Sequence, residues 1–375
     1  MRVMITNIAL ENRAGTELYV RDLAHGLKKR GHTPYVYSGR LGRFAEALRS
    51  EGITVLEDLG ALTKPPDLIH GHHHLSTMTA VLAFPGTPAI FVCHGPENWQ
   101  EEPPLFPRIV NYVAVDAACH QRILHKGIET SRVRLIHNFV DLKRFRQRPP
   151  LPDRPRQALI FSNQACEATH EPAVRLACKR AGITVMVAGS AASRVCHTPE
   201  SILVDYDLVF AKAKAALEAL AIGASVILCD ATGVGPMVTT RNVEELRSLN
   251  FGVRCLTQPL KAPVIAQHLA HYDSHDAAEV CRYIRATADV DPALDQLVEL
   301  YKQTIEEYRR SPATDSASEE AFVGRYLRDL DKAICGFEGD AVKFHSLRHS
   351  RSWALFSKYV SVKRSVLAPI VKSIS

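Results

Sequence analysis

The residue types best suited to chemistry fall at 212–223 (KAKAALEALAIG). Lys212 lies between a short apolar run, 205–210, and an Ala/Leu-rich run, 213–222. The first reads as a buried strand and the second as a helix, because Ala and Leu are the strongest helix formers. A cation in a strand-to-helix turn sits beside the free N–H groups that open the helix, and the two together make a phosphate site. Lys214 follows one step on and adds a second cation. Glu218 has apolar neighbours on nearly every helix face, so it should be buried, where an unpaired carboxylate is costly. Two arrangements satisfy it. One is an i,i+4 pair with Lys214, worth a few tenths of a kcal/mol; the other is a set of hydrogen bonds from ligand hydroxyls, such as a sugar or ribose diol.

Histidines form the second constellation. Residues 67–74 (DLIHGHHH) place His70, His72, His73 and His74 at the end of a strand. Strand alternation divides them between two faces, and no carboxylate or cysteine follows at ligand spacing, so no metal site is expected. Lining a cleft is the reading adopted, with core packing of one or two of them as the plainer alternative. His94 closes a buried strand (FVCHG), where it can hydrogen-bond a sugar or phosphate oxygen, move a proton near neutral pH, or serve structure alone. Asn138 (IHNFVD) supplies a polar turn. Gly233 belongs to a Gly-rich stretch (DATGVGPM) that either holds phosphate on backbone amides or turns the chain.

These residues need elements to place them. A strand at 2–7, a loop bearing Gly15 and Thr16, a helix at 16–30 and a strand at 33–38 open the chain. Helix 42–51, strands 53–56 and 67–71, helix 75–83, strand 88–93, strand 112–115, helix 117–126 and strand 133–136 continue the alternation. Alternation of this kind predicts a parallel sheet with helices on both faces. Pro-rich, charged residues 147–157 read as a linker. A second alternating half starts at 158–163 (ALIFSN), ending in Ser162 and Asn163, and runs through 183–189 and 205–229. Helical patterns follow at 262–270, 276–287 and 292–310, and a further helix starts near 319. The expected divisions are 1–146, the linker 147–157, 158–312, and a helical extension 313–375.

Composition narrows the rest. The 375 residues contain nine scattered cysteines and no Cys-x-x-Cys, which fits a reducing, cytoplasmic setting without disulfides. No uncharged run reaches the length of a membrane span. From 343 to 375 there are seven Lys/Arg and no Asp/Glu, so this tail carries all the excess of a chain whose formal net charge is +6. The body therefore gives no signal for nucleic acid. The tail mixes its cations with apolar and aromatic residues, a pattern suited to an anionic membrane surface at about 1 kcal/mol per cation. A packed helix or a free basic tail would account for it equally.

Taken together, 14–17 (AGTE), 67–72, His94-Gly95, 136–141 with Phe145, and 217–223 resemble the GT-B glycosyltransferases, specifically the retaining family 4, over roughly residues 1–310. The resemblance implies two Rossmann-like doubly wound α/β domains facing a cleft, the first taking the acceptor and the second a nucleotide-sugar donor, with no metal or other cofactor. It places the donor diphosphate at Gly15 and Thr16 and on Lys212, and the ribose on Glu218. His94 would lie beside the transferred sugar. Asn138, Ser162, Asn163, Lys214 and Gly233 complete the expected donor side; His70, His72 and His73 form the acceptor side. The expected catalytic residues are His94, Lys212 and Glu218. The implied activity is sugar transfer to a glycan or a polyprenyl- or lipid-linked acceptor in surface polysaccharide or glycolipid synthesis, at the inner membrane face. Three positions depart from the family pattern. Phe210 stands eight residues before Glu218, where the first of a glutamate pair is expected. Lys212 and Lys214 replace a glycine-rich turn, and Ser162-Asn163 replaces Gly-Arg. A catalytically silent GT-B protein that binds a nucleotide or a partner transferase is the alternative; a sugar-nucleotide epimerase would want more carboxylates around the cleft.

Overall fold

Apolar strands alternating with amphipathic helices build two successive α/β halves, followed by a long helix. The computed structural model describes residues 1–192, 196, 198–310, 316–350 and 353. The first half comprises β1 (Arg2–Thr6), α1 (Gly15–Lys29), β2 (Thr33–Tyr37), α2 (Arg43–Ser50), β3 (Thr54–Leu56), β4 (Leu68–His72), α3 (His74–Ala83), β5 (Ala89–Cys93), β6 (Ile109–Ala114), α4 (Ala117–His125) and β7 (Val133–Leu135). The second comprises β8 (Gln157–Phe161), α5 (Glu171–Arg180), β9 (Thr184–Ala188), α6 (Pro199–Ile202), β10 (Leu208–Ala211), α7 (Ala213–Ile222), β11 (Ser225–Asp230), β12 (Gly233–Met237), α8 (Val243–Ser248), α9 (Ala262–Leu269) and α10 (Ser274–Thr287). Two long helices, α11 (Val290–Arg310) and α12 (Ser316–Arg348), come last.

Each half is built on a sheet of parallel strands, with one antiparallel edge strand in the second. The first runs β3-β2-β1-β4-β5-β6-β7 and the second β12-β11-β10-β8-β9. Every residue of β4, β5, β10 and β11 is buried, as parallel strands covered by helices on both faces require. In the second half, Leu159, Val209, Leu217 and Val226 pack on one face, and Ile160, Phe210, Ile227 and Val174 on the other. Strand order reverses between β1 and β4 in one sheet and between β8 and β10 in the other. At such reversals the connections leave in opposite directions and open a crevice at the strands' carboxyl ends. Register decides what lines them. Phe210 pairs with Ile160, so Lys212 ends its strand beside Ser162; His72 pairs with Val92, so His94 ends the neighbouring strand close by.

One expectation changes. The Gly-rich stretch after β11 is not a loop but an antiparallel edge strand, β12, paired with β11. Its glycines serve close packing: a Cβ on Gly233 would meet the carbonyl oxygens of Leu256 and Gln258 at 2.9 Å, and one on Gly235 that of Cys255 at 2.5 Å. Gly233 is therefore buried against 256–258 and offers no phosphate loop. The last helix of the expected 158–312 division packs on the other half. Val290, Leu294, Leu297 and Tyr301 make a buried stripe at helical spacing, and α11 lays it on α1, β5 and β6 of the first half. The last helix of the body thus completes the first sheet, with Asn111 Nδ2 donating to Thr304 Oγ1 at 3.2 Å.

Residues 1–311 form one compact unit and 312–375 a second. In the second, α12 is the described helix. Beyond residue 350 the basic stretch 343–375 lies outside the described residues, apart from Trp353. Among the described residues no helix is long and apolar enough to cross a membrane.

Candidate functional site

At the carboxyl ends of the second sheet, three strands deliver polar groups to one point. Asp230 ends β11 almost fully buried, and a carboxylate there must be compensated. Lys212, the residue capping α7, supplies an ion pair to it; the lysine side chain keeps 33% of its surface exposed against 1% for Asp230. Ser162 Oγ donates to Asp230 Oδ1 at 3.2 Å, and the Ala231 amide does so at 2.7 Å. With its amide turned to satisfy both groups, Gln164 donates to both Asp230 oxygens at 2.9 and 3.1 Å. Asn163 accepts from the Ser190 amide at 3.2 Å. His170, fully buried just before α5, lies in the same field; both its ring nitrogens lack a partner among the described residues, and burial lowers its pKa. Lys212 thus reaches the surface with its direction fixed by a buried carboxylate, at the amino end of α7. Ala213, the first residue of that helix, takes φ 49°, an uncommon conformation for a residue with a side chain. Its amide donates to Phe251 O at 2.8 Å.

Glu218 and Lys214 point elsewhere. Lys214 Nζ donates to Asp22 Oδ2 at 2.8 Å and to Phe139 O at 3.2 Å, linking α7 to α1 of the first half. Glu218 Oε1 stands 3.8 Å from the same ammonium, outside hydrogen-bond range, with only 2% of its side chain exposed. Burial raises the Glu218 pKa to about 7, with Asp22 adding to the effect and Lys214 and Arg144 opposing it. Burial works against the Lys214 ammonium, but Asp22 and Glu218 outweigh it and raise its pKa. Arg144 joins the group, 3.9 Å from Asp22 and 2.8 Å from Glu200. The expected i,i+4 pair therefore exists in a loose form, and Lys214 is engaged too deeply to face a diphosphate. A cavity of about 330 Å³ adjoins this cluster, lined by Arg21, Asp22, His25, Lys29, Lys143 and Arg144 among others.

The histidines of the first sheet are mostly core. His70 and His72 are fully buried and His73 nearly so, which removes all three from an acceptor surface. His70 and His72 alternate onto one face, where His70 Nδ1 meets Tyr301 Oη at 2.5 Å and His72 Nδ1 meets His94 Nε2 at 2.7 Å. Tyr19 packs on the row, its ring centroid 4.9 Å from that of His94. Burial lowers the pKa of His70 to about 3 and of His94 to about 4, and pushes that of His72 well down. His73 caps α3 at φ 62° and accepts from the Ile8 amide on Nδ1 at 3.2 Å, so Nε2 carries the proton towards Glu101 Oε1, 3.2 Å away. Burial would raise the pKa of Glu101, but His73 and His94 outweigh it and hold it down. The same carboxylate accepts from the His94 backbone N–H at 2.9 Å. His94 itself stays half-buried at the rim. Gly15 opens α1 into free space, Thr16 beside it is half-buried, and Asn138 is buried with its carbonyl accepting from Arg247 at 2.6 Å.

Of the expected residues, the structure gathers Ser162, Asn163 and Lys212 at the second switch point and His94 at the end of the first sheet. It separates Lys214, Glu218, Gly233 and three histidines from exposed positions. Asp22, Asp230, His170 and Tyr301 were not singled out in the sequence. Only Asp230 had a local sign, as the one charge ending the strand SVILCD.

Two Rossmann-like halves, joined in sequence with polar side chains at their carboxyl ends, define the GT-B class of fold. Residues 13–144, most of the first half, match the model of Glycosyltransferase Family 4. The fold is similar to that of HepE from Anabaena in complex with UDP and glucose, with TM-score 0.60 and 13% identity, covering 81% of this chain and all of that one. It is also similar to sucrose-phosphate synthase from Thermosynechococcus elongatus, with TM-score 0.53 and 12% identity over 82% of this chain and all of the other. At such identities the likeness is one of fold. No curated protein matches the sequence.

Proposed function

We propose that this protein is a glycosyltransferase that moves a sugar from a nucleotide-activated donor to a glycan or lipid-linked acceptor. The observation that carries the reading is the cluster at the second switch point: a directed, partly exposed lysine at a helix amino end, beside Ser162 and Asn163, on a chain whose first half matches family 4. In this proposal Lys212 and the amides that follow Ala213 at the start of α7 bind the donor diphosphate and stabilise it as it leaves. Asp230 keeps the ammonium aimed while the exposed side of Lys212 meets the phosphates. His94 stays neutral at working pH and serves the sugar as a hydrogen-bonding group. The paired halves orient donor and acceptor, which is the other main source of rate. Retention of configuration, independence of metal and an acceptor at a membrane face belong to the same proposal.

One observation favours a second reading. Phe210 is fully buried in β10 where the family pattern expects the first glutamate, and Glu218 faces Lys214 in the interior. A protein that binds a nucleotide without turning it over would look the same. Thermal unfolding against UDP-, GDP-, ADP- and CMP-sugars decides the binding step, since a ligand at 100 times its Kd adds about 2.7 kcal/mol. UDP-sugars come first, because HepE, a structural relative, was captured with UDP. A melting rise with one nucleotide, lost in Lys212→Ala, supports the site. Turnover by the same protein separates enzyme from silent binder, and the absence of any rise overturns both.

A further inference from the structure

With His70, His72 and His73 buried, the acceptor of the proposed reaction is left without a binding group, so unused cations near His94 bear on it. Helix α4 carries such cations. Ala118, Gln121, Arg122 and His125, with Lys126 as the cap, recur at steps of three and four and so share one helix face. That face lines a cavity of about 280 Å³ together with Pro96, two residues beyond His94, and Arg254 from the second half. Among the described residues that line it, none is acidic. Lys126 is neutralised by an ion pair with Glu102. Arg122 is held by uncharged groups instead: its Nη1 donates to Gly95 O and its Nη2 to Asn98 O, each at 2.8 Å. Three of its five guanidinium hydrogens remain for another partner. Arg254 is exposed, and no hydrogen bond or ion pair from the described residues reaches its guanidinium. The cavity beside α1 differs, because its cations and acids pair off, Arg21 with Glu51 and Lys143 with Asp291.

We propose that this cavity binds a phosphate group carried by the acceptor. Two arginines without a carboxylate partner, one from each half, offer planar N–H forks, and His125 stands beside them. A phosphate presents several oxygens to donors arriving from different sides and carries up to two charges, which suits this lining better than a carboxylate's single charge. At about 280 Å³ the cavity lies at the lower end of the ligand-sized range, so it takes a charged group rather than a whole substrate. Position gives the group to the acceptor, a step that rests on the transferase reading. There the donor diphosphate sits on Lys212 in the second half, whereas all the lining residues but Arg254 belong to the first. Arg254 lies three residues past Phe251, whose carbonyl accepts from the first amide of α7. A phosphate gripped by both arginines therefore ties the first half to the element that carries the donor.

The test titrates the full chain with inorganic phosphate by calorimetry at constant ionic strength. Arg254→Ala removes an exposed side chain without a partner in the protein, so its melting transition should match that of the wild type. It should weaken phosphate binding by about 10-fold or more, the worth of one charge-assisted hydrogen bond. Arg122→Ala should weaken it at least as much, and Lys212→Ala should retain the site. Absence of phosphate binding overturns the proposal, as does binding that both arginine variants keep. Binding lost in Lys212→Ala alone belongs to the donor site and also overturns it. Glucuronate that competes as well as phosphate does would make the group a carboxylate and overturn the phosphate assignment. The melting rise with nucleotide reports on the transferase reading separately, and it should survive in Arg254→Ala; its loss there would put the cavity on the donor. Phosphate held through Arg254 by a protein that no nucleotide stabilises supports the anion site and overturns its acceptor role.

Discussion

Glu218 has surroundings that act in opposite directions: burial and Asp22 favour its neutral form, and Lys214 and Arg144 favour its anion. Burial wins, placing its pKa near 7 against an ordinary 4.5. The folded protein therefore holds this proton more tightly than the unfolded chain does. That contribution is fully present below pH 4.5 and is lost as pH rises through about 7. Glu218→Gln should leave stability near pH 4 unchanged and raise it at pH 8 by on the order of 3 kcal/mol. Urea unfolding at the two pH values measures this, and equal shifts at both would show that the carboxylate carries no buried charge. Lys212→Ala is the companion variant: it should abolish the nucleotide-dependent melting rise, and it also leaves Asp230 buried without its cation, costing roughly 3 kcal/mol of stability. The position of Lys212 in a strand-to-helix turn and the burial of Glu218 could be read from the sequence because a strand, a turn and a helix are local patterns. Asp22 and Tyr301 could not. They reach Lys214 and His70 across 192 and 231 residues, and no local periodicity records which residues meet at that range.

At the scale of elements, the start of α7 and the edge strand β12 show backbone deciding sequence. Ala213 at φ 49° bears a steric penalty that glycine would not, on the order of 1–2 kcal/mol, partly offset by glycine's greater freedom when unfolded. Ala213→Gly should be stabilising by about 0.5 kcal/mol, an unusual sign for a helix position, and thermal unfolding would settle it. Gly235→Ala should act the other way: its Cβ would sit 2.5 Å from the Cys255 carbonyl, and backbone must move to admit it, costing roughly 1–3 kcal/mol. The alternation of strands and helices in both sheets was legible, because buried parallel strands leave uninterrupted apolar runs such as AIFVC and VILC. The nature of β12 was not. Two glycines and a proline in GVGPM read as a turn, whereas here they let an edge strand approach 255–258 closely.

The buried histidines belong to the whole molecule, since they join β4, β5, α1 and α11 around one row of rings. In the unfolded chain each takes a proton near pH 6.5; in the folded protein His94 does so only near 4 and His70 near 3. Stability should therefore fall as pH drops below 6.5, by about 2 kcal/mol per buried histidine between 6.5 and 5. A His70→Phe, His72→Phe variant, if folded, should show a flatter acid limb in denaturant titrations; an unchanged limb would place the acid sensitivity elsewhere. The same row binds the first half to α11, the last helix of the body, with a consequence in time. On the ribosome, β5 and β6 emerge long before residues 290–310, and at 5–20 residues per second roughly ten to forty seconds of synthesis separate them. During that interval the face that α11 will cover stays exposed, and a nascent first half cannot close its own core. Its maturation waits on the second half being made.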